Sequence, residues 1–248
     1  MKKTIVFAAC LLWICTIEAQ TSGQVATYTP GVGALTDGLY NYAMGSVSDK
    51  MSKLNYKDDR IEGSPYMSND FQQGQLYYGD EMVGNIYYRY NAYNEEIEIK
   101  QSNLKEEPVR GLSKDKKIKL VASGKPMSFK TFVNKNGNTK NGYMTQLVSG
   151  DYKLYKFLKV TFKEAKKAEN TFVKSSPAKF TQSTEYFLEG PDGKRIDQVD
   201  LSSKKLMQLV SSEKANELKS FMKENKMKVK EESDLVTAVE FLNGTSGS

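Results

Sequence analysis

Residues 86–100 read Ile-Tyr-Tyr-Arg-Tyr-Asn-Ala-Tyr-Asn-Glu-Glu-Ile-Glu-Ile-Lys, and they restrict the fold more than any other part of the chain. Side chains alternate between the two faces of a strand. With a turn centred on Asn94 and Glu95, Ala92 faces Ile97 and Tyr90 faces Ile99, and Ile86 and Tyr88 fall on the same apolar side. Tyr87, Arg89, Asn91, Tyr93, Glu96, Glu98 and Lys100 fall on the other side. One register sorts both arms, and a one-residue slip destroys the sorting. In this register Arg89 lies opposite Lys100, and the diagonal neighbour Glu98 offsets the like-charge pair. The apolar face is rich in tyrosine, so each buried hydroxyl needs a hydrogen-bond partner. The expectation is a β-hairpin with tyrosine inward and ions outward.

The polar face has two readings. As a recognition surface, Tyr87, Arg89, Asn91 and Tyr93 supply residue types enriched at binding hot spots. With Glu96 and Glu98 they are the candidate binding residues. As an ordinary sheet face they are solvated cross-strand pairs, which alternation alone explains. Glu96 and Glu98 also raise a catalytic reading, since they would sit roughly 6.5–7 Å apart by strand rise, and glycosidases use paired carboxylates. That chemistry needs a cleft that splits the two pKa values. An open hairpin face gives none, so no catalytic residue is expected. A carboxylate-dependent glycan hydrolase stands as the alternative.

A resemblance rests on two motifs. Gly63-Ser64-Pro65-Tyr66-Met67-Ser68-Asn69-Asp70-Phe71 is followed by Gly74, and then by Arg89-Tyr90-Asn91-Ala92-Tyr93-Asn94-Glu95-Glu96-Ile97-Glu98. This pattern resembles a family of uncharacterised secreted proteins from Bacteroidota, with "GSPY…F..G" followed by "RYN.YN.E.E". The likeness runs from about Gly63 onward and includes a Lys-rich helical pair at residues 203–225 and 230–243. It implies export and a β-rich body with a helical tail, and it implies no activity.

Residues 1–19 read as a secretory signal peptide: Lys2 and Lys3 start it, an apolar stretch follows, and Ala19 is a small residue before the cleavage point. Both cysteines, Cys10 and Cys15, fall within it, so the mature chain is expected to hold itself together without disulfides. The chain has no histidine. That excludes Ser-His-Asp and Cys-His nucleophilic sites and zinc sites needing imidazole or thiolate. No cofactor and no metal site is expected; Asp58-Asp59 and Asp192 lack the spacing of a calcium loop. The net charge of +6 is uneven. Between Lys114 and Lys167 there are 14 lysines and 3 acidic residues, while between Asp58 and Arg110 there are 11 acidic and 5 basic residues. The basic stretch, interleaved with aromatics, is a candidate polyanion binder. Export argues against nucleic acid, so the expected partners are an envelope protein or an anionic envelope component.

The rest of the chain divides into an N-terminal arm or helix over residues 20–57, a β body over 58–200, helices over 201–243 and a tail over 244–248. The arm has Leu35, Leu39, Ala43, Val47 and Met51 every four residues, with Leu54 nearby, a helical stripe weakened by Gly38 and Gly45. Strands are expected over 75–78, 82–93, 117–122, 127–134, 143–148, 152–162, 185–189 and 195–199, with Gly79-Asp80, Gly150-Asp151 and Gly190-Pro191-Asp192-Gly193 as turns. Leu206, Leu209 and Val210, then Ala215, Leu218, Phe221 and Met222, then Leu235, Ala238, Val239 and Leu242 form core-facing helical stripes, the last capped by Ser233. No apolar run in the mature chain is long enough for a transmembrane helix. The expected fold is α+β and mainly antiparallel β, a meander or sandwich-like sheet body closed by a C-terminal helical segment.

Overall fold

Short polar turns set between alternating stretches join the hairpins of the sheet. The computed structural model describes residues 43–45, 61–166 and 175–244. The expected leader over 1–19 and most of the expected arm over 20–57 lie outside these residues. Twelve strands form one mainly antiparallel sheet: β1 (Met44–Gly45), β2 (Ile61–Glu62), β3 (Gln72–Tyr78), β4 (Glu81–Asn91), β5 (Glu96–Lys100), β6 (Arg110–Leu112), β7 (Ile118–Ala122), β8 (Lys125–Val133), β9 (Thr139–Val148), β10 (Lys153–Lys163), β11 (Ala178–Glu189) and β12 (Ile196–Val199). Three helices follow: α1 (Ser203–Met207), α2 (Ser212–Glu224) and α3 (Glu232–Leu242). Among the described residues no helix is long and apolar enough to cross a membrane. The stripe expected through Ala43 meets one described stretch, and there Met44–Gly45 is extended and pairs with β6.

Neighbouring strands run in the order β1-β6-β5-β4-β3-β7-β8-β12-β11-β10-β9, and β8 also pairs with β9. That second pairing closes β8, β9, β10, β11 and β12 into a ring. Only the β12–β8 contact in the ring is parallel, at Asp197 and Val133. The ring has its own core of Phe132, Met144, Tyr155, Phe157, Phe187 and Ile196. Phe132 lies 4.6 Å from Phe187 and 5.3 Å from Phe157 by ring centroids. Gly142 makes room for Phe157, since a Cβ there would come 2.8 Å from its ring.

Two further cores lie outside the ring. One packs Leu76, Ile86, Tyr88, Tyr90, Ile97, Ile99, Ile118 and Leu120 of the open part of the sheet against Tyr143, Val160 and Phe180 of the ring strands. The other packs Leu154, Tyr186, Leu188 and Val199 against Leu206, Leu218, Met222, Leu235, Ala238, Val239 and Leu242 of the helices. β10 is therefore apolar on both faces because both are covered. Leu209 is one member of the expected stripes that stays out, at 36% exposed, because α1 ends at Met207. The cap of α3 is Glu231 rather than Ser233, in a reciprocal capping box with Asp234.

The central hairpin forms with the expected faces and a shifted register. Tyr90 pairs with Ile97, Arg89 with Glu98 and Tyr88 with Ile99, two residues from the expected pairing. The turn is the four residues Ala92 to Glu95, with Glu95 at a positive φ of 57°. A two-residue shift preserves which side chains share a face, so the tyrosine-inward sorting survives. It also replaces the Arg89–Lys100 opposition by an Arg89–Glu98 pair.

Candidate functional site

The outer face of the hairpin is covered. The segment 63–71 crosses it: Pro65 C=O accepts from Ala92 N at 2.8 Å, and Met67 N donates to Tyr90 O at 2.9 Å. The far side of the segment is tied to β11, where Gln182 Nε2 donates to the carbonyls of Ser64 and Tyr66 at 3.0 and 2.8 Å. Gly63, at φ 78°, is held there by closeness, since a Cβ would come 2.3 Å from Phe180 O. Under this clamp the Arg89 guanidinium sits 3.9 Å from the Tyr66 ring centre and 4.6 Å from that of Phe71. Its Nη2 meets Glu98 Oε2 at 2.5 Å, and its Nη1 donates to Asn69 O at 3.1 Å. Asn91 Nδ2 donates to the other Glu98 oxygen at 3.1 Å, while its own Oδ1 accepts from Asn94 N at 3.0 Å.

The solvated face expected from the sequence is thus replaced by a buried polar layer. Asn91, Glu96 and Glu98 are 1%, 9% and 3% exposed. The physical reason is charge pairing: a lone buried carboxylate is costly, and Glu98 is buried with a guanidinium and an amide supplying its hydrogen bonds. Tyr93 packs edge-on against Phe180 at 5.4 Å and Phe162 at 6.3 Å. Of the six candidate binding residues, Tyr87 alone stands on a stretch of outer face that the clamp leaves open, and the other five are engaged inside the fold. Glu96 and Glu98 line none of the three clefts described for this protein.

The open stretch belongs to β7, β3 and β4. Register places Gln73 beside Tyr87, Gln75 beside Asn85 and Val121, and Tyr77 beside Lys119, all opposite to the apolar core face. Gln73 Nε2 donates to Tyr87 Oη at 3.0 Å, and the Tyr77 hydroxyl donates to Gln75 Oε1 at 3.2 Å. Lys119 Nζ lies 4.9 Å from the Tyr77 ring centre. Tyr77, Tyr87 and Lys119 are half-buried and both glutamines are exposed. Sequence reasoning began this strand at Gln75 and missed the strip; the signal was the alternation of Gln73, Gln75 and Tyr77.

The basic stretch is dispersed among several internal partners. Lys153 pairs with Glu189 at 3.0 Å, Lys156 with Glu232 at 2.7 Å and Lys159 with Glu185 at 3.3 Å. Lys117, Lys119 and Lys130 lie over the rings of Tyr78, Tyr77 and Tyr155. Burial pushes the Glu232 carboxyl up, but hydrogen bonds from Lys156 and Tyr186 and the charges of Lys156 and Lys125 outweigh this and hold it below its ordinary range. Among the described residues no group of three or more Asp, Glu, His or Cys side chains could hold a metal ion.

The fold and its clamp define a mainly antiparallel β protein with an internal ring of strands and a helical end. No family model matches the chain, and no curated protein or solved structure matches it.

Proposed function

We propose that this chain is an exported, non-catalytic interaction protein of the cell envelope, and that it docks a partner through the open strip of β7, β3 and β4. The observation that carries the reading is the pair Tyr77 and Tyr87, half-buried on the sheet face opposite the apolar core, with each hydroxyl hydrogen-bonded to a neighbouring glutamine. A tyrosine already held in one rotamer loses little entropy when it is covered, and tyrosine is enriched at hot spots. The leader-like residues 1–19 support export. The burial of Glu98 against Arg89 favours a structural role for the acidic pair over a hydrolytic one.

A tagged protein recovered from envelope extracts tests this directly. The expected result is a co-eluting envelope protein that is lost when Tyr77→Ser and Tyr87→Ser are combined, with the melting temperature unchanged. Recovery alone in every detergent, or a partner indifferent to both substitutions, overturns the reading. Retention on heparin that vanishes with modest salt would instead support the polyanion alternative through the lysines between Lys114 and Lys167.

A further inference from the structure

A concave site lies on the opposite face of the sheet from the tyrosine strip, with Met67 of the clamp segment at its mouth. Leu120 pairs with Met127, Met127 with Thr145, and Thr145 with Lys156. Residues directly opposite one another in antiparallel strands share a face, so these four form one transverse row across β7, β8, β9 and β10. The row is the floor of a cleft of about 240 Å³. Tyr88 and Met67 wall one side, and Lys125 and Glu232 stand at the rim. Gly74 keeps the floor low: a Cβ there would come 2.9 Å from Leu120 Cδ1 and 3.0 Å from Tyr88 Cδ1. The Tyr88 hydroxyl is turned to Gln72 Oε1 at 3.3 Å.

The chemistry of the lining selects an amphiphile. The Leu120–Met127 half of the floor is apolar and buried, at 1% and 6% exposed, the Thr145–Lys156 half is polar, and Met67 at the mouth is 43% exposed. The lining as a whole carries two cations, Lys125 and Lys156, against one anion, Glu232. Glu232 is already taken by Lys156 at 2.7 Å and by the Tyr186 hydroxyl at 2.9 Å. Lys125 has no ion-pair partner among the described residues and is exposed. One positive charge is therefore left over beside an apolar trough. An apolar cavity of about 150 Å³ accepts benzene, so this cleft has room for an alkyl chain of about eight to ten carbons.

We infer that the cleft binds a medium-chain alkyl carboxylate, with its chain along Leu120 and Met127 and its carboxylate against Lys125. This does not rest on the docking strip, and either can fail without the other.

Calorimetric titration of the purified protein with decanoate below its micellar concentration is the test. Saturable one-to-one binding is expected, tighter than that of butanoate, which is too short to fill the trough, and tighter than that of decanol, which lacks the charge. Thr145→Phe, which fills the middle of the row, should abolish the heat. Lys125→Glu, at an exposed rim position, should weaken decanoate by roughly three- to tenfold and leave decanol unchanged. Circular dichroism melts establish that both variants fold, and Lys125→Glu carries the test should Thr145→Phe be unstable. No saturable decanoate binding, equal affinity for decanol, or parent-like decanoate affinity in Lys125→Glu overturns the inference.

Discussion

Arg89 is the residue on which the clamp closes. Its guanidinium lies against the Tyr66 and Phe71 rings while it holds the Glu98 carboxylate, whose side chain is 4% exposed. Arg89→Ala removes the counter-charge from a carboxylate that stays buried, at a cost of about 3 kcal/mol. Glu98→Leu leaves the guanidinium, itself 20% exposed, partly able to reach water, and should cost less. The double variant should cost clearly less than the sum of the two, because neither charge is then left alone. Urea unfolding midpoints at neutral pH measure all three, and additivity to within about 0.5 kcal/mol would show the pair to be uncoupled. From the sequence Glu98 stands only as a diagonal neighbour of Arg89, and its burial does not show. Alternation fixed the faces of the hairpin, because a two-residue shift leaves parity untouched. It could not fix which charges meet, because that depends on where the turn is centred, and moving the centre by one residue shifts every pairing by two. Nor could it show the clamp: Pro65, Tyr66 and Phe71 reach the hairpin from outside it, and alternation within the hairpin carries no trace of a covering segment.

Elements with strong turns and clean alternation were legible, and those defined by distant partners were not. β3 with β4 and β9 with β10 follow from Gly79-Asp80 and Gly150-Asp151. β6 is only Arg110, Gly111 and Leu112, with no period to find, and it exists because β5 and β1 flank it. Residues 181–184 of β11 are polar and exposed, and this stretch is a strand because β10 pairs with β11 as far as Lys163 and Lys179. Closure of the ring rests on one parallel contact that no local pattern encodes. The end of α3 shows a further long-range dependence. Asn243 caps the helix, and its side chain also accepts from Tyr152 N at 2.8 Å and donates to Tyr152 O at 2.8 Å and Ser149 O at 3.2 Å. It staples the last helix to the β9–β10 turn. Asn243→Ala leaves the Tyr152 amide without this partner and should cost about 1–3 kcal/mol. Amide hydrogen exchange should speed up through α3 and residues 149–152 ahead of the rest of the sheet. Unchanged exchange there, with an unchanged unfolding midpoint, would mean that the staple contributes nothing.

Across the whole molecule, tyrosine joins the three cores. Tyr88, Tyr90 and Tyr143 belong to the first, Tyr155 fills the ring and Tyr186 borders the helices. Burial pushes all five hydroxyls up, with nearby acids adding to it at Tyr90, Tyr143, Tyr155 and Tyr186, the last to about 12. Tyr155 Oη donates to Glu189 Oε2 at 2.7 Å, and Tyr143 Oη donates to Ser113 O at 3.0 Å. The Tyr90 hydroxyl has no hydrogen-bond partner among the described residues, so the expectation that every buried phenol is satisfied fails there. In each case the folded state keeps a proton that the unfolded chain gives up near pH 10. Above that pH the unfolded state binds fewer protons, and stability falls as pH rises. The stabilisation is whole below pH 10 and is lost on the alkaline side only. Tyr90, Tyr143 and Tyr155 together should remove roughly 4 kcal/mol for each pH unit above 10. Small domains hold about 5–15 kcal/mol in all, so the fold should be lost cooperatively within a few units of pH 10. Tyrosinate absorbance should therefore rise in two phases, the accessible phenols titrating near pH 10 and the buried ones appearing together with loss of the far-ultraviolet β signal. A single smooth titration of all the tyrosines with the β signal intact would show that these hydroxyls reach water without unfolding, and that the three cores do not depend on keeping them protonated.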